Sequence, residues 1–182
     1  SRAGRSVHDL MGPWFIADTP WPDLHWDMNL EQTYYFPIEA NHPQLASTLT
    51  DYLEQILNSG DLNTNVPTAW QADSAAAPTG ASSLSGNETC YWDYGPNCTT
   101  SPPSVTGNLL WTISVTQRAA EYAKNDTATT QIICPLLDRA LQFYYHFQVS
   151  CNVSARVLIL FVFDNTFQCR DVFGMKGGQC DR

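Results

Sequence analysis

A carboxylate, an amide and an indole stand close together near the start of this chain. Asp27 and Asn29 flank Met28, and His25 and Trp26 come directly before them. Polar groups that exchange hydrogen bonds with hydroxyls, beside rings that cover apolar C–H faces, are what a sugar site requires. The alternative is structural: Asp27 caps a helix that begins near Met28, and Trp26 belongs to the core.

Other candidate groups are assigned by their neighbours. Trp21 and His25 are candidate substrate contacts beside Trp26, and His25 is equally consistent with a structural role. Glu31 and Glu39 are predicted to lie on a solvated face and at a helix connection. The four histidines are isolated and the six cysteines lack C-x-x-C spacing, so no metal site and no cofactor are predicted. The sequence contains no G-x-S-x-G, P-loop, G-x-G-x-x-G or H-E-x-x-H motif.

Charge and hydropathy exclude two classes of partner. Nine basic and eighteen acidic residues give a net charge of −9, which repels a polyanion and argues against nucleic-acid binding. The longest apolar run, 157–163, is far shorter than the roughly 20 residues that a helix needs to cross a bilayer. No membrane contact is therefore expected. The first residues, 1–5, read as the interior of a longer precursor or as a processed end.

Cysteines and glycosylation sequons indicate the compartment. Six cysteines allow 15 pairings if all are bridged, and a Cys90–Cys98 disulfide would close a small loop. Four N-x-[ST] sequons are present, at Asn87, Asn97, Asn125 and Asn152. This combination predicts an extracellular or secretory-pathway glycoprotein, whereas the alternative is a cytosolic protein with free thiols.

Hydrophobic periodicity predicts a mainly α fold. A short helix from about Met28 should end before Pro37. A second begins at Pro43, capped by Asn41 or His42, and stops at Gly60. A third runs from about Gly107 to Tyr122, and a fourth has Pro135 near its start and extends to about Phe147. The last two are joined by a turn at 123–126 and should form an antiparallel hairpin. Leu45, Leu49, Tyr52, Leu53, Ile56 and Leu57 form the apolar stripe of the second helix.

Two segments break the helical rhythm. Residues 61–103 are rich in Ser, Thr, Ala, Gly and Pro and read as a long irregular loop. After about residue 148 the texture changes again, with a β-like run at 157–163 and a glycine-rich end. The domain organisation predicted is thus a helical part over 1–148 and a divergent tail over 149–182.

The stretch from Asp23 to Pro37, DLHWDMNLEQTYYFP, resembles the N-x-N…Y-W-P segment of glycoside hydrolase family 95, the α-L-fucosidase-like enzymes with an (α/α)6 toroid. The capped helix that follows and the helical pair over 107–147 resemble that family too. The resemblance covers roughly 14–57 and 107–147, and it implies a partial toroid of helical hairpins.

The family's chemistry is hydrolysis with inversion: a carboxylic acid protonates the leaving oxygen while a base-activated water attacks the opposite face. The resemblance places Asn29 at the second amide of the motif and Asp27 at the first, where it would orient the water or act as the base. The family's general acid is a Glu soon after the fourth helix, but the sequence contains no Glu after Gln148. The implied protein is carbohydrate-active but catalytically incomplete, and a partner chain is a candidate to complete its core.

Two functions therefore stand side by side. One is a portion of an inverting glycosidase of the fucosidase type, with Asp27 and Asn29 in an open cleft beside Trp26. The other is a secreted, non-catalytic glycoprotein that binds carbohydrate or a partner protein, with the same residues covered and Asp27 capping a helix.

Overall fold

The structure is a computed structural model, and it describes Val7 and residues 24–26, 28–78, 80–81 and 107–151, with side chains as far as residue 146. Helices dominate these residues, which confirms the prediction of a mainly α fold. Two two-residue strands, β1 (Leu24–His25) and β2 (Gly80–Ala81), pair antiparallel. The predicted β-like run at 157–163 lies outside the described residues.

Helix α1 (Met28–Glu39) begins where the sequence predicted but does not end before Pro37. That prediction is wrong because the proline lies in the last turn, where its missing N–H removes only one helical hydrogen bond. Its carbonyl is used, since the His42 N–H donates to it at 2.7 Å. Asn41, with φ 60°, then turns the chain toward the next helix.

Helix α2 (Pro43–Ser59) confirms both predicted ends. Pro43 is its first residue, although His42 at the N-cap makes no side-chain capping bond. Gly60 adopts a left-handed conformation with φ 75°, and its N–H donates to the Leu57 carbonyl. The central members of the predicted stripe, Leu49, Tyr52, Leu53 and Ile56, are buried.

Helix α3 (Asn108–Ala123) lies within one residue of its predicted bounds. Lys124 ends it in a left-handed conformation, and Asn125 caps the short helix α4 (Asp126–Ala128) by accepting from the Ala128 N–H. A π-helical turn (Thr129–Ile133) leads into α5 (Cys134–Cys151). So short a link makes α3 and α5 antiparallel neighbours, as predicted.

The chain is helical nine residues before Pro135, whereas the sequence suggested a start near that proline. A proline ring inside a helix collides with the carbonyl four residues earlier and lacks the N–H that would bond it. The π turn widens the helix immediately before Pro135, which accommodates the ring without ending the helix.

The predicted loop 61–103 is ordered in its described part. Two 3-10 turns, Asp61–Asn65 and Thr68–Trp70, are followed by a buried stretch over 74–78. This segment bonds to itself and to α5, since the Ala75 N–H donates to the Arg139 carbonyl and the Asn65 amide donates to the Ala76 carbonyl. The residues from 82 to 106 lie outside the described part.

The helices run in alternating directions. Contacts between α1 and α3 advance together along both helices, from Glu31 with Thr112 to Glu39 with Arg118, so α1 and α3 are parallel. The short connections make α2 antiparallel to α1, and α5 antiparallel to α3. The N-terminal ends of α1 and α3 and the C-terminal ends of α2 and α5 therefore share one end of the molecule. We call it the upper end.

Candidate functional site

Trp26 lies in the core. Its relative exposure is 0%, and its ring lies 5.9 Å from that of Tyr52 on α2 at an angle of 41°. Its indole N–H has no hydrogen-bond partner among the described residues. His25 is also buried, in the β1–β2 pair opposite Gly80. In this conformation neither ring offers a face to a ligand, and their predicted roles as substrate contacts stay predictions.

Asn29 is exposed on the first turn of α1, directly after the exposed Met28. Its carbonyl accepts a hydrogen bond from the Thr33 hydroxyl at 2.7 Å, which ties that turn to the next one. Asp27 and Trp21 lie outside the described residues. Of the five predicted site residues, the structure thus presents Asn29 to solvent and encloses His25 and Trp26.

Glu31 is the main residue that the sequence reasoning misplaced. Its relative exposure is 1%, so the prediction of a solvated face is wrong. One carboxylate oxygen accepts from the Thr112 hydroxyl on α3 at 2.8 Å. The signal was present in the spacing, because Glu31, Tyr34 and Ile38 follow one another at three and four residues and share a helix face.

Glu39, in contrast, is exposed, and its carboxylate pairs with Arg118 at 2.8 Å. The Arg118 guanidinium lies 5.0 Å from the centre of the Tyr35 ring and 6.0 Å from that of Tyr122. The hydrogen bond with the Tyr122 side chain raises the pKa of Arg118, and the nearby Glu39 charge adds to the rise. This cluster fastens the C-terminal halves of α1 and α3 together.

A second group that the sequence analysis did not single out joins the 61–78 segment to the end of α5. Both carboxylate oxygens of Asp73 lie 3.1 Å from Nε2 of His146. The His146 ring is stacked on Trp70, with centroids 5.5 Å apart and an angle of 12°. Trp70 in turn meets the edge of the Phe143 ring at 6.0 Å. An imidazole, a carboxylate and several rings are thus held in one place.

This group is not a nucleophile triad. The Ser74 hydroxyl donates to the Asp73 carboxylate at 2.8 Å and is fully buried, whereas activation of a serine requires a bond between its hydroxyl and an imidazole. The hydrogen bond from His146, followed by that from Ser74, holds the pKa of Asp73 below its ordinary value. Asp73 is therefore an ionised hydrogen-bond acceptor over the physiological pH range.

The structure describes one of the four predicted glycosylation sites. Asn125 is exposed, and its side-chain oxygen accepts a hydrogen bond from the Ala128 N–H at 3.1 Å. The capping bond uses the side-chain oxygen, whereas a glycan would be attached to the amide nitrogen. Asn87, Asn97 and Asn152 lie outside the described residues, as do Cys90 and Cys98.

Cys134 is 1% exposed and disulfide-bonded. Its partner is not Cys151, because 17 residues of helix separate the two ends of α5 by about 25 Å, and a disulfide needs its Cα atoms within about 7 Å. The remaining candidates are Cys90, Cys98, Cys169 and Cys180. Pairing with either of the first two would exclude the predicted Cys90–Cys98 bridge.

Two further properties concern the described residues only. Within them, no three His, Cys, Asp or Glu side chains come together in a way that could hold a metal ion. No helix in the described part of the chain is both long and apolar enough to span a membrane.

Comparison of the chain with protein-family models, with curated proteins and with solved structures found no match.

Proposed function

We propose that this chain is a carbohydrate-binding glycoprotein of the secretory pathway, similar to the α-L-fucosidase-type hydrolases but catalytically incomplete. The observation that carries the proposal is the first turn of α1. Asn29 is exposed there, three residues after a Trp26 that is wholly enclosed. A polar group on a turn anchored by a buried indole is preorganised for hydrogen bonds to sugar hydroxyls.

Two described carboxylates argue for binding without catalysis. A general acid for glycoside cleavage needs a raised pKa and access to the leaving oxygen. Glu31 is enclosed between α1 and α3, where Thr112 donates to it. Asp73 is accessible, but the pKa of its carboxyl is lowered. Neither residue combines the two properties.

The proposed architecture is part of a toroid of helical hairpins. The parallel pair α1 and α3, with α2 antiparallel and in contact with both, is the alternation that such a toroid repeats. Phe36 and Trp111, at 74% and 48% exposed, are large rings on the outer faces of that pair. They support the proposal that a partner chain or further helices complete the core.

Secretion is proposed on the sequons and the cysteines together. Asn125 lies in an exposed turn, and Cys134 is disulfide-bonded. Disulfides persist in the oxidising compartments where N-glycans are added.

The alternative proposal, an active inverting glycosidase, gains support from the exposure of Asn29 alone. In it, Asp27 acts as the base, or orients the attacking water together with Asn29. Release of nitrophenol from an aryl α-L-fucoside, abolished by Asp27→Asn with an unchanged thermal midpoint, would establish hydrolysis and overturn the non-catalytic proposal.

The test of binding is a thermal melt of the secreted chain with and without millimolar 2′-fucosyllactose. A ligand that binds only the native state raises the midpoint according to its concentration and Kd. We expect a rise that Asn29→Ala abolishes and that Gln131→Ala, which removes an exposed amide near the opposite end, leaves intact. A midpoint unmoved by the oligosaccharide at any concentration would overturn the proposed function.

A further inference from the structure

We propose that Tyr145, His146 and Asp73 form a contact site for one pyranose ring, with the carboxylate accepting hydrogen bonds from neighbouring hydroxyls and the Tyr145 ring covering the apolar face of the sugar. The inference rests on the proposed carbohydrate-binding function and assigns to it a place separate from the first turn of α1.

The three side chains are accessible to different degrees that suit these roles. Tyr145 is 62% exposed, and the side chains of Asp73 and His146 are 49% and 30% exposed. The Tyr145 and His146 rings stand at 68° with centroids 6.0 Å apart, so they form the two walls of a corner. A corner of two rings beside a carboxylate presents an apolar surface and a polar acceptor to the same ligand.

Hydrogen-bond capacity remains on the carboxylate. An ionised carboxylate has about four acceptor positions and no donor. The Nε2–H of His146 is shared between both oxygens of Asp73, and the Ser74 hydroxyl adds a bond to Oδ1. Oδ2 thus receives a single bond from the described residues and retains an acceptor position for a ligand hydroxyl.

The same bond fixes the imidazole. Because the carboxylate only accepts, Nε2 of His146 must carry the hydrogen, and in the neutral ring Nδ1 then carries the lone pair. In that neutral tautomer Nδ1 can accept a hydrogen bond from a second hydroxyl. Stacking on Trp70 at 12° holds the ring plane, so the acceptor direction is set before a ligand arrives.

The fold places this corner at the upper end of the molecule. His146 lies near the C-terminal end of α5, and Asn29 lies at the N-terminal end of α1. Both ends belong to the upper end as defined by the helix directions. An oligosaccharide, which is longer than one ring, could therefore contact both places.

The test uses saturation-transfer NMR and calorimetry on the secreted chain, with 2′-fucosyllactose as the probe. Tyr145→Ala should weaken binding up to about tenfold and remove saturation transfer to one face of a pyranose ring, whereas Tyr145→Phe should keep both. Asp73→Asn should weaken binding by roughly tenfold or more, because charge-assisted hydrogen bonds are lost. Tyr122→Ala is the matched control, since it removes another exposed tyrosine at the far end of α3.

The outcomes separate this inference from the proposed function. If the wild-type chain binds no oligosaccharide, both fail. If binding is lost in Asn29→Ala but unchanged in Tyr145→Ala and Asp73→Asn, the proposed function stands and the site proposed here is overturned. A thermal midpoint for Tyr145→Ala equal to that of the wild type shows that any loss of affinity does not come from unfolding.

Discussion

Glu31 is an ionisable side chain buried in the contact between two parallel helices. Its hydrogen bond with Thr112 is buried, and loss of a hydrogen bond to a buried acceptor costs about 1–3 kcal/mol. We expect Thr112→Val, which removes the donor and nearly conserves the volume, to lower the free energy of unfolding by that amount. Urea denaturation measures it. Thr130→Val is the control, because the Thr130 hydroxyl is exposed and bonds only within its own helix. Equal losses in the two variants would contradict the assigned role.

The sequence could have placed Glu31 by its spacing from Tyr34 and Ile38, but its charge outweighed that pattern. The sequence could not show that the hydrogen-bond partner of Glu31 is Thr112, which lies 81 residues away. A contact across that distance depends on which helix faces pack together. Hydrophobic periodicity identifies the apolar face of each helix but not the helix that packs against it. The Asp73–His146 pair, separated by 73 residues, was hidden for the same reason.

Asp73 makes stability depend on pH in a predictable direction. The pKa of its carboxyl is lower in the folded chain than its ordinary value of 3.8, so the unfolded chain binds more protons in the acid range. The resulting stabilisation is present above the ordinary value and is lost as pH falls through the folded-state pKa. We expect the wild type to be more stable than Asp73→Asn at pH 6, with the difference shrinking below about pH 4. A difference that stays constant from pH 6 to pH 2 would rule this out.

At the scale of elements, the end of α2 depends on one glycine. Gly60 has φ 75°, where a side chain costs about 1–2 kcal/mol, although a Cβ there would meet no atom within 4 Å. Gly107 has φ −83° and equally open surroundings. We expect Gly60→Ala to lower the free energy of unfolding by at least about 1 kcal/mol more than Gly107→Ala does. If the denaturant curves of the two variants coincide, backbone strain at position 60 does not determine the free energy of unfolding that Gly60→Ala loses.

The turn before α4 carries a cap and a sequon on the same residue, and two variants separate them. Thr127→Ala abolishes the sequon but leaves the bond between Asn125 and the Ala128 N–H. Asn125→Ala removes both, and loss of an N-cap costs about 1 kcal/mol. We expect mass spectrometry to show one glycan fewer in each variant, and thermal melts of the enzymatically deglycosylated chains to show a lower midpoint for Asn125→Ala alone. A mass unchanged by Thr127→Ala would mean that the site is not used.

Helix starts and stops were well predicted where one residue dictates them, as at Pro43 and Gly60. The predicted helix ends were wrong where the helix continues through a proline. Pro37 lies in the last turn of α1, where it removes only one helical hydrogen bond. Pro135 follows a π turn, and no residue type in the sequence predicts such a turn. The strand pair of Leu24–His25 with Gly80–Ala81 is too short to leave a pattern in the sequence.

At the scale of the whole molecule, the disulfide at Cys134 ties α5 to a cysteine distant in the sequence. Reduction should lower the free energy of unfolding by about 2–4 kcal/mol, since a long loop is released. Peptide mapping without reduction should recover the Cys134 peptide linked to one containing Cys90, Cys98, Cys169 or Cys180. Recovery of Cys134 as a free thiol from the secreted chain would contradict the structure and weaken the proposed localisation.

The parallel pairing of α1 with α3 also affects the order in which the chain can fold during synthesis. The chain leaves the ribosome from its N-terminus, so Glu31 emerges 81 residues before Thr112. At roughly 5–20 residues per second, the inner face of α1 waits about 4–16 s for the helix that covers it. During that interval α1 and α2 can pack only against each other. The carboxylate of Glu31, which is buried in the folded chain, stays in water. Its charge keeps the uncovered face of α1 from being wholly apolar. This lowers the risk that the face binds another apolar surface before α3 has been synthesised.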